Sequence, residues 1–233
     1  MIPPGVDGWL PDLDVDAVLR GQGADAARAR ERNPRLFDGA ARAARDGRSL
    51  LVPRVAGRVL SVRTRDAEGV TLEDGSRLTG PLVAVRLAGA TEAAVFVLTL
   101  GEPLERRVSR MFGRDLPYAF ALDAFGSSAV EALVRHAGRH LRERARGAGG
   151  RVTHPISPGM EGFGLLRGQR EIFAILGTEA AGVTLLPSGG MTPRKSVSLV
   201  YGLGREAVES GGLCDPCPAR RACRFRFPHV APA

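Results

Sequence analysis

The chain has 233 residues, of which 44% are hydrophobic, 25% charged and 5% aromatic, and its formal net charge is +8. This composition is typical of a globular protein and excludes collagen-like, coiled-coil and disordered chains. No nucleic-acid-binding motif accompanies the positive charge, so we expect no nucleic-acid partner and interpret the charge as a solvated surface or a docking face for an acidic partner.

No segment has the pattern of a membrane span or of a secretory signal. The longest apolar run covers residues 93–100, whereas a membrane-spanning helix needs about 20 apolar residues. Residues 1–7 lack the basic and apolar regions of a signal peptide. The sequence therefore predicts a cytoplasmic protein with no membrane partner and without disulfides.

The first half of the chain predicts helices followed by strands. Residues 1–49 are typical of a helical segment, in which Asn33-Pro34 separates two helical stretches. Asp74-Gly75 lies between two apolar runs and predicts a β-hairpin, because glycine tolerates the positive φ that such a turn requires. The apolar pattern predicts strands at 51–62, 70–72, 77–78, 82–87 and 94–100.

The second half predicts three helices and a final strand. One helix starts after Gly101, and another spans residues 165–176. Between them, Ser128 and Glu131 have the spacing of a capping box, which predicts that a long helix starts at Ser128. The glycines of residues 147–150 would end this helix.

Two segments near the end of this region have the residue types of a binding site. Residues 151–164 contain three glycines and two prolines, which is typical of an ordered functional loop and equally of a plain connector. The following strand, residues 196–203, alternates so that Ser196 and Ser198 share one face while Val197, Leu199 and Tyr201 share the other. The two hydroxyls can bind a polar ligand or face water.

Several segments together resemble the activation domain of vitamin B12-dependent methionine synthase, in its free-standing form. The resemblance runs in order from about residue 12 to residue 226. It implies an α+β fold in which helices flank a curved antiparallel sheet, with an N-terminal helical segment at 1–49, a core at 50–208 and a tail at 209–233. The matching segments are 15–20, 98–105, 122–131, Ser157-Pro158-Gly159 with 169–173, and 191–198.

The resemblance implies an accessory protein that reactivates a corrinoid-dependent methyltransferase. In this family the domain binds S-adenosylmethionine and packs over a corrinoid that the partner protein holds. An electron donor reduces the cobalt, and the sulfonium methyl group traps the reduced state. Because the cofactors carry the chemistry, the resemblance implies no catalytic side chain.

The resemblance also implies which residues would line the S-adenosylmethionine site. Two positions depart from the family pattern. Pro155 stands where the family usually has an arginine that meets the ligand carboxylate, and Met160 stands where it usually has a tyrosine. Arg151, a few residues upstream, is a candidate replacement for that arginine. The implied ligand-binding residues are Ser157, Pro158, Gly159, Met191, Ser196, Ser198 and Tyr201.

The three cysteines, Cys214, Cys217 and Cys223, lie within ten residues of one another in an arginine-rich tail that resembles the C-terminus of free-standing family members. Two thiolates two residues apart bind one metal ion or cluster readily. Three cysteine ligands leave three alternatives open. They hold an iron-sulfur cluster with one open iron, they form a zinc site that His229 completes, or they bind no metal. The alternative function is therefore an iron-sulfur or zinc binding or electron-transfer module on the same fold that no longer binds S-adenosylmethionine, which Pro155 and Met160 favour.

Overall fold

The computed structural model describes residues 9–207, which form seven α-helices and eight strands. In chain order the elements are α1 (Val15–Gly21), α2 (Ala26–Arg32), α3 (Pro34–Gly47), β1 (Arg54–Asp66), β2 (Gly69–Leu72), β3 (Arg77–Thr79), α4 (Pro81–Arg86), β4 (Glu92–Thr99), α5 (Glu102–Phe112), α6 (Leu116–Gly147), β5 (Arg151–Val152), α7 (Leu165–Leu176), β6 (Thr184–Leu185), β7 (Met191–Thr192) and β8 (Ser196–Gly204).

Six strands form one antiparallel sheet in the order β3-β2-β1-β4-β8-β5, and β6 and β7 form a separate hairpin. The long strand β1 pairs with β4 over its first half and with β2 over its second half. A register shift between Val62 and Thr64 separates the two halves. Such irregularities bend a strand and increase its twist, so β1 curves the sheet.

Both faces of this sheet are covered. On one face the sheet packs against α6, and α1 and α3 pack on α6 in the same core; on the other face the sheet packs against α4 and α7. Strand β4 is therefore apolar from Ala93 to Leu98, as expected of a strand without a solvent face. Its residues alternate between the two cores, with Ala94, Phe96 and Leu98 in the first and Ala93, Val95 and Val97 in the second.

Local capping explains where several helices begin. Asn33 accepts a hydrogen bond from Leu36 N, and Pro34 occupies the first turn of α3, so the predicted break at Asn33-Pro34 is confirmed. Asp115 caps α6 in the same way by accepting from Tyr118 N. The predicted hairpin around Asp74-Gly75 is also confirmed, since β2 and β3 pair across it.

Two predictions from the sequence are wrong. The segment predicted as a strand at 82–87 is the short helix α4, because a short apolar run fits either element and Pro81 favours a helical first turn. The long helix starts at Leu116, so Ser128 lies inside it and is no cap. The Ser128 hydroxyl donates instead to the carbonyl oxygen of Ala17 in α1, at 3.0 Å.

Of the helices within residues 9–207, none combines the length and the apolar character that crossing a bilayer requires.

The contact between α1 and α6 depends on the absence of a side chain at Gly21. A Cβ at this position would lie 2.7 Å from Ser128 Oγ and 2.9 Å from the carbonyl oxygen of Ala124, which is backbone and cannot rotate away. The two helices would have to separate to accommodate it.

We expect Gly21→Ala to lower the free energy of unfolding by about 1–3 kcal/mol, because overpacking a close contact forces the backbone to shift. Gly147→Ala is the matched control, since a Cβ at this helical glycine would meet nothing within 4 Å. The control should be neutral or stabilising by up to about 1 kcal/mol. Urea denaturation measures both, and equal effects of the two substitutions would contradict the prediction.

Candidate functional site

The loop that contains Ser157-Pro158-Gly159 runs along the free edge of β8. Thr153 N donates to Gly202 O at 2.9 Å, and the amides and carbonyls of Ile156 and Val200 exchange hydrogen bonds of 3.0 and 2.8 Å. Because this pairing is antiparallel, the chain continues from Ile156 toward the start of β8. Residues 157 and 158 thus come beside residues 199 and 198.

At Ser157 the loop makes a tight turn that its own backbone closes. Met160 N donates to Ser157 O at 3.2 Å, and Gly159 has a φ of +95°. Proline followed by glycine at positive φ is the pattern of a type II turn. Gly159 N then donates to Phe163 O at 2.8 Å, and Phe163 N donates to Met160 O at 2.8 Å. The turn is therefore preformed, and Gly159 is exposed at its tip. We call residues 157–160 the Pro-Gly turn.

Met160, where the family usually has tyrosine, belongs to the turn itself. Its sulfur accepts a hydrogen bond from Ser157 N at 3.3 Å, and its side chain packs at the margin of the second core. No local sequence pattern indicates this contact inside the turn.

Helix α7 packs against the turn and supports it. A Cβ at Gly168 would lie 2.5 Å from Phe163 Cε2 and 3.0 Å from Pro158 Cγ, so the absence of a side chain lets the loop rest on the helix. The next residue, Gln169, is buried, and its Oε1 accepts a hydrogen bond from the equally buried Ser198 hydroxyl at 2.9 Å. The structure thus brings Ser157, Pro158, Gly159 and Ser198 together over residues 168 and 169 of α7.

Ser196, at the start of β8, belongs to a short chain of hydrogen bonds. Its Oγ lies 2.6 Å from Pro193 O and 2.8 Å from Thr99 Oγ1, which in turn accepts from Gly101 N at 3.1 Å. Because the Pro193 carbonyl only accepts, the Ser196 proton is committed to it and the Thr99 hydroxyl donates to Ser196. Ser196 therefore ties the start of β8 to the turn before α5.

Lys195, the only lysine of the sequence, was not identified as a site residue. Its side chain is mostly buried, and Nζ lies 2.9 Å from both Asp123 Oδ1 and Ser127 Oγ on α6. Arg194 N donates to Glu105 Oε2 at 2.7 Å on α5. These contacts fasten the segment before β8 to two helices, and nothing in the sequence pattern indicated them.

Tyr201 lies on the opposite face of β8 from Ser198. Its hydroxyl donates to Val134 O on α6 at 3.1 Å, and its ring meets Phe96 edge to face. Burial raises the pKa of Tyr201. The structure does not bring Tyr201 together with the Pro-Gly turn, because the α6 side of the sheet is a separate core.

Met191 lies in β7, and the β6–β7 hairpin that contains it packs beside the Pro-Gly turn. A Cβ at Gly189 in this hairpin would lie 2.9 Å from Leu166 Cδ2 and 3.3 Å from Leu165 Cγ. Leu165 is also the nearest side chain to Gly159. The hairpin and the Pro-Gly turn therefore flank the first residue of α7, which is 44% exposed.

Arg151 does not reach this region. It pairs with Gly204 at the far end of β8, about five residues along the sheet from the Pro-Gly turn. At about 3.3 Å per residue that separation is longer than an arginine side chain. Pro155, in the place of the family arginine, is buried and has no donor.

Two clefts lie along α5 rather than over the Pro-Gly turn. The smaller, of about 270 Å³, lies where β4 meets α5 and is lined by Thr99, Gly101 and Pro193 among others. The larger, of about 520 Å³, is lined by Glu102, Glu105, Arg106, Ser109, Arg110 and Thr192.

The predicted metal ligands Cys214, Cys217 and Cys223 lie outside the described residues. Within residues 9–207, no group of three or more His, Cys, Asp or Glu side chains has the arrangement of a metal site.

No family model matches the chain, and no curated protein matches it. Among solved structures, the chain is similar to the MetH reactivation domain bound to AdoHcy, with a TM-score of 0.60. The match covers 88% of this chain and 79% of that chain, at 14% sequence identity. This similarity confirms the predicted fold, an α+β domain of the activation-domain type with a curved antiparallel sheet flanked by helices.

We expect Gly168→Ala to lower the free energy of unfolding by about 1–3 kcal/mol, because Phe163 is fully buried and cannot move aside freely. Gly113→Ala is the matched control, since a Cβ at Gly113 would meet nothing within 4 Å and its φ of −88° suits any residue. The control should change stability by less than about 0.5 kcal/mol. Chemical denaturation checks both, and a neutral Gly168→Ala would mean that the loop does not rest on α7.

Proposed function

We propose that this protein binds S-adenosylmethionine at the Pro-Gly turn and serves in the reductive reactivation of a corrinoid-dependent methyltransferase. The observation that supports this most is the shared fold with a reactivation domain that has AdoHcy bound, the demethylated form of S-adenosylmethionine. The corrinoid would be held by the partner protein, and a separate electron donor would reduce it.

The preformed turn offers acceptors to such a ligand. Within residues 9–207, the carbonyl oxygens of Pro158 and Gly159 accept no hydrogen bond, whereas the amides of Gly159 and Met160 are already used inside the turn. Exposed carbonyl oxygens suit the amino groups of the ligand and the positive charge of its sulfonium. The buried Ser198–Gln169 pair and the contact at Gly168 hold these oxygens in place.

The chain's own residues would bind and orient the ligand rather than transfer protons. When bound, S-adenosylmethionine supplies the methyl group that its sulfonium gives to a reduced corrinoid. Holding two reactants in the correct geometry accounts for the role of the protein in such a reaction. Because Pro155 replaces a bidentate arginine contact, we expect the affinity to be micromolar rather than tighter.

The second candidate function is an iron-sulfur or zinc binding or electron-transfer module that no longer binds S-adenosylmethionine. It is favoured by three cysteines within ten residues of one another, beside arginines that would stabilise thiolates. The two functions differ in S-adenosylmethionine binding, whereas an iron-sulfur cluster in the tail would suit both, since it could also deliver the electron that reactivation needs.

We expect saturable, micromolar binding of S-adenosylmethionine and of S-adenosylhomocysteine by calorimetric titration of the anaerobically purified protein. Gly159→Ala should weaken it by about tenfold or more, because a Cβ at φ +95° strains the turn and shifts its carbonyl oxygens. Gly75→Ala is the matched control, because Gly75 has a φ of +83° and a Cβ there would meet nothing within 4 Å.

Gly75→Ala should cost similar stability and change the affinity by less than about twofold. Equal affinity losses in the two variants would contradict binding at the Pro-Gly turn. The absence of any binding heat across several temperatures would contradict the proposed function as a whole.

We expect Cys217→Ser to remove most of the bound metal from anaerobically purified protein, because the loss of one of three thiolates leaves too few ligands for a cluster or zinc. Elemental analysis and the visible absorption spectrum give metal identity and content. Ser210→Ala, in the same segment, should leave both unchanged. Full metal content in Cys217→Ser would contradict a metal site in the tail.

A further inference from the structure

Three exposed apolar side chains meet where α5 ends and α6 begins. Phe112, Leu116 and Phe120 are 47%, 48% and 52% exposed. The rings of Phe112 and Phe120 meet edge to face with centroids 5.5 Å apart, and Leu116 lies one helical turn before Phe120. We call these three residues the aromatic corner. Exposed apolar side chains are ordinary when scattered singly, whereas a contiguous group indicates an interaction surface.

The larger cleft leads to this corner. Its volume is about 520 Å³, and Glu105, Ser109 and Arg110 on α5 help to line it. Glu105, Ser109 and Phe112 are spaced four and three residues apart, which places them along one face of the helix. The cleft and the aromatic corner therefore form one elongated surface along α5.

The net charge of this surface is positive because three of its four carboxylates are paired with cations. Glu102 pairs with Arg106 at 3.1 Å, Asp115 pairs with Arg42 at 2.6 Å, and Asp123 pairs with Lys195. Glu105 accepts from the backbone N–H of Arg194 and keeps its negative charge, which the two charges of Arg110 and Arg114 outweigh. Arg110 and Arg114 flank the aromatic corner, are exposed, and have no ion-pair partner among residues 9–207.

We propose that the aromatic corner and the adjoining cleft bind an acidic amphipathic helix of a partner protein. The apolar face of that helix would cover Phe112, Leu116 and Phe120, and its carboxylates would meet Arg110 and Arg114. An elongated surface with apolar anchors is the common form of a helix-binding groove. Aromatic anchors supply most of the affinity of such contacts, and the arginines supply selectivity for acidic partners.

Two other occupants fit this surface less well. A second copy of the chain related by twofold symmetry would bring Arg110 and Arg114 against the same arginines, and like charges repel. An anionic bilayer would contact the corner but leave the cleft unused. The proposal does not depend on S-adenosylmethionine binding, which concerns a different surface.

The test measures fluorescence anisotropy of a labelled synthetic helix, with the full-length protein as titrant. The helix has leucine at positions i, i+3, i+4 and i+7, glutamate beside this apolar stripe and alanine elsewhere, so that it stays helical. We expect saturable binding that weakens as salt is added. The doubly substituted Phe112→Ala/Phe120→Ala and Arg110→Glu/Arg114→Glu proteins should each bind about tenfold more weakly or worse.

Matched controls are Val85→Ala, an exposed apolar side chain on α4, and the double substitution Arg28→Glu/Arg144→Glu on other helices. Both should change the affinity by less than about twofold. Equal binding of a helix with lysine in place of glutamate would overturn the proposal, as would no saturable binding. Phenylalanine-dependent dimerisation in sedimentation, or binding only to vesicles of anionic lipid, would overturn it in favour of a second copy or a membrane.

Discussion

Strand β8 is buried on both faces, because α6 covers one side and α7 covers the other. Because both faces are buried, the polar side chains of the strand must find hydrogen-bond partners on the covering helices. Tyr201 bonds to the backbone of α6, whereas Ser198 bonds to Gln169 of α7 on the opposite side. An unpaired hydroxyl or amide at either position would cost about 1–3 kcal/mol. These two hydrogen bonds therefore fix the position of β8 relative to both helices. Because the loop pairs with β8 at Val200, the position of β8 also determines that of the Pro-Gly turn.

Two glycines, as well as direct contacts, hold the Pro-Gly turn in its position. Gly168 lets Pro158 and Phe163 rest on α7, and Gly159 supplies the positive φ that the turn needs. Met160 completes the turn through its sulfur. A loop that satisfies its own amides and leaves carbonyl oxygens without donors can bind a ligand at little entropic cost, since it is already ordered. This property, rather than any single side chain, makes the turn suitable for a cationic ligand.

The apolar pattern of the sequence predicts β4, α7 and β8, because each has a strong pattern over most of its length, and the Asp74-Gly75 turn predicts the β2–β3 hairpin. It could not identify α4, since a six-residue apolar run fits a strand or a helix equally. The alternating pattern of β8 correctly places Ser198 and Tyr201 on opposite faces of the strand. It does not show that helices cover both faces. Placing Tyr201 beside the serines came from the family resemblance, and the structure puts it in another core. The contacts of Lys195 and Met160 join distant segments, and no local pattern encodes them.

The Pro-Gly turn and the positively charged surface along α5 are connected through one short hairpin. Gly159 packs on Leu165, Leu165 packs on Gly189 of the β6–β7 hairpin, and Thr192 at the end of that hairpin lines the large cleft. Arg194, two residues later, bonds to Glu105 in the same cleft. A partner helix bound along α5 would therefore touch the segment that flanks the turn. Because packed side chains transmit displacements rather than absorb them, occupation of the cleft would change the packing around Leu165 and Gly159. This physical connection links a docked partner to the carbonyl oxygens of the turn.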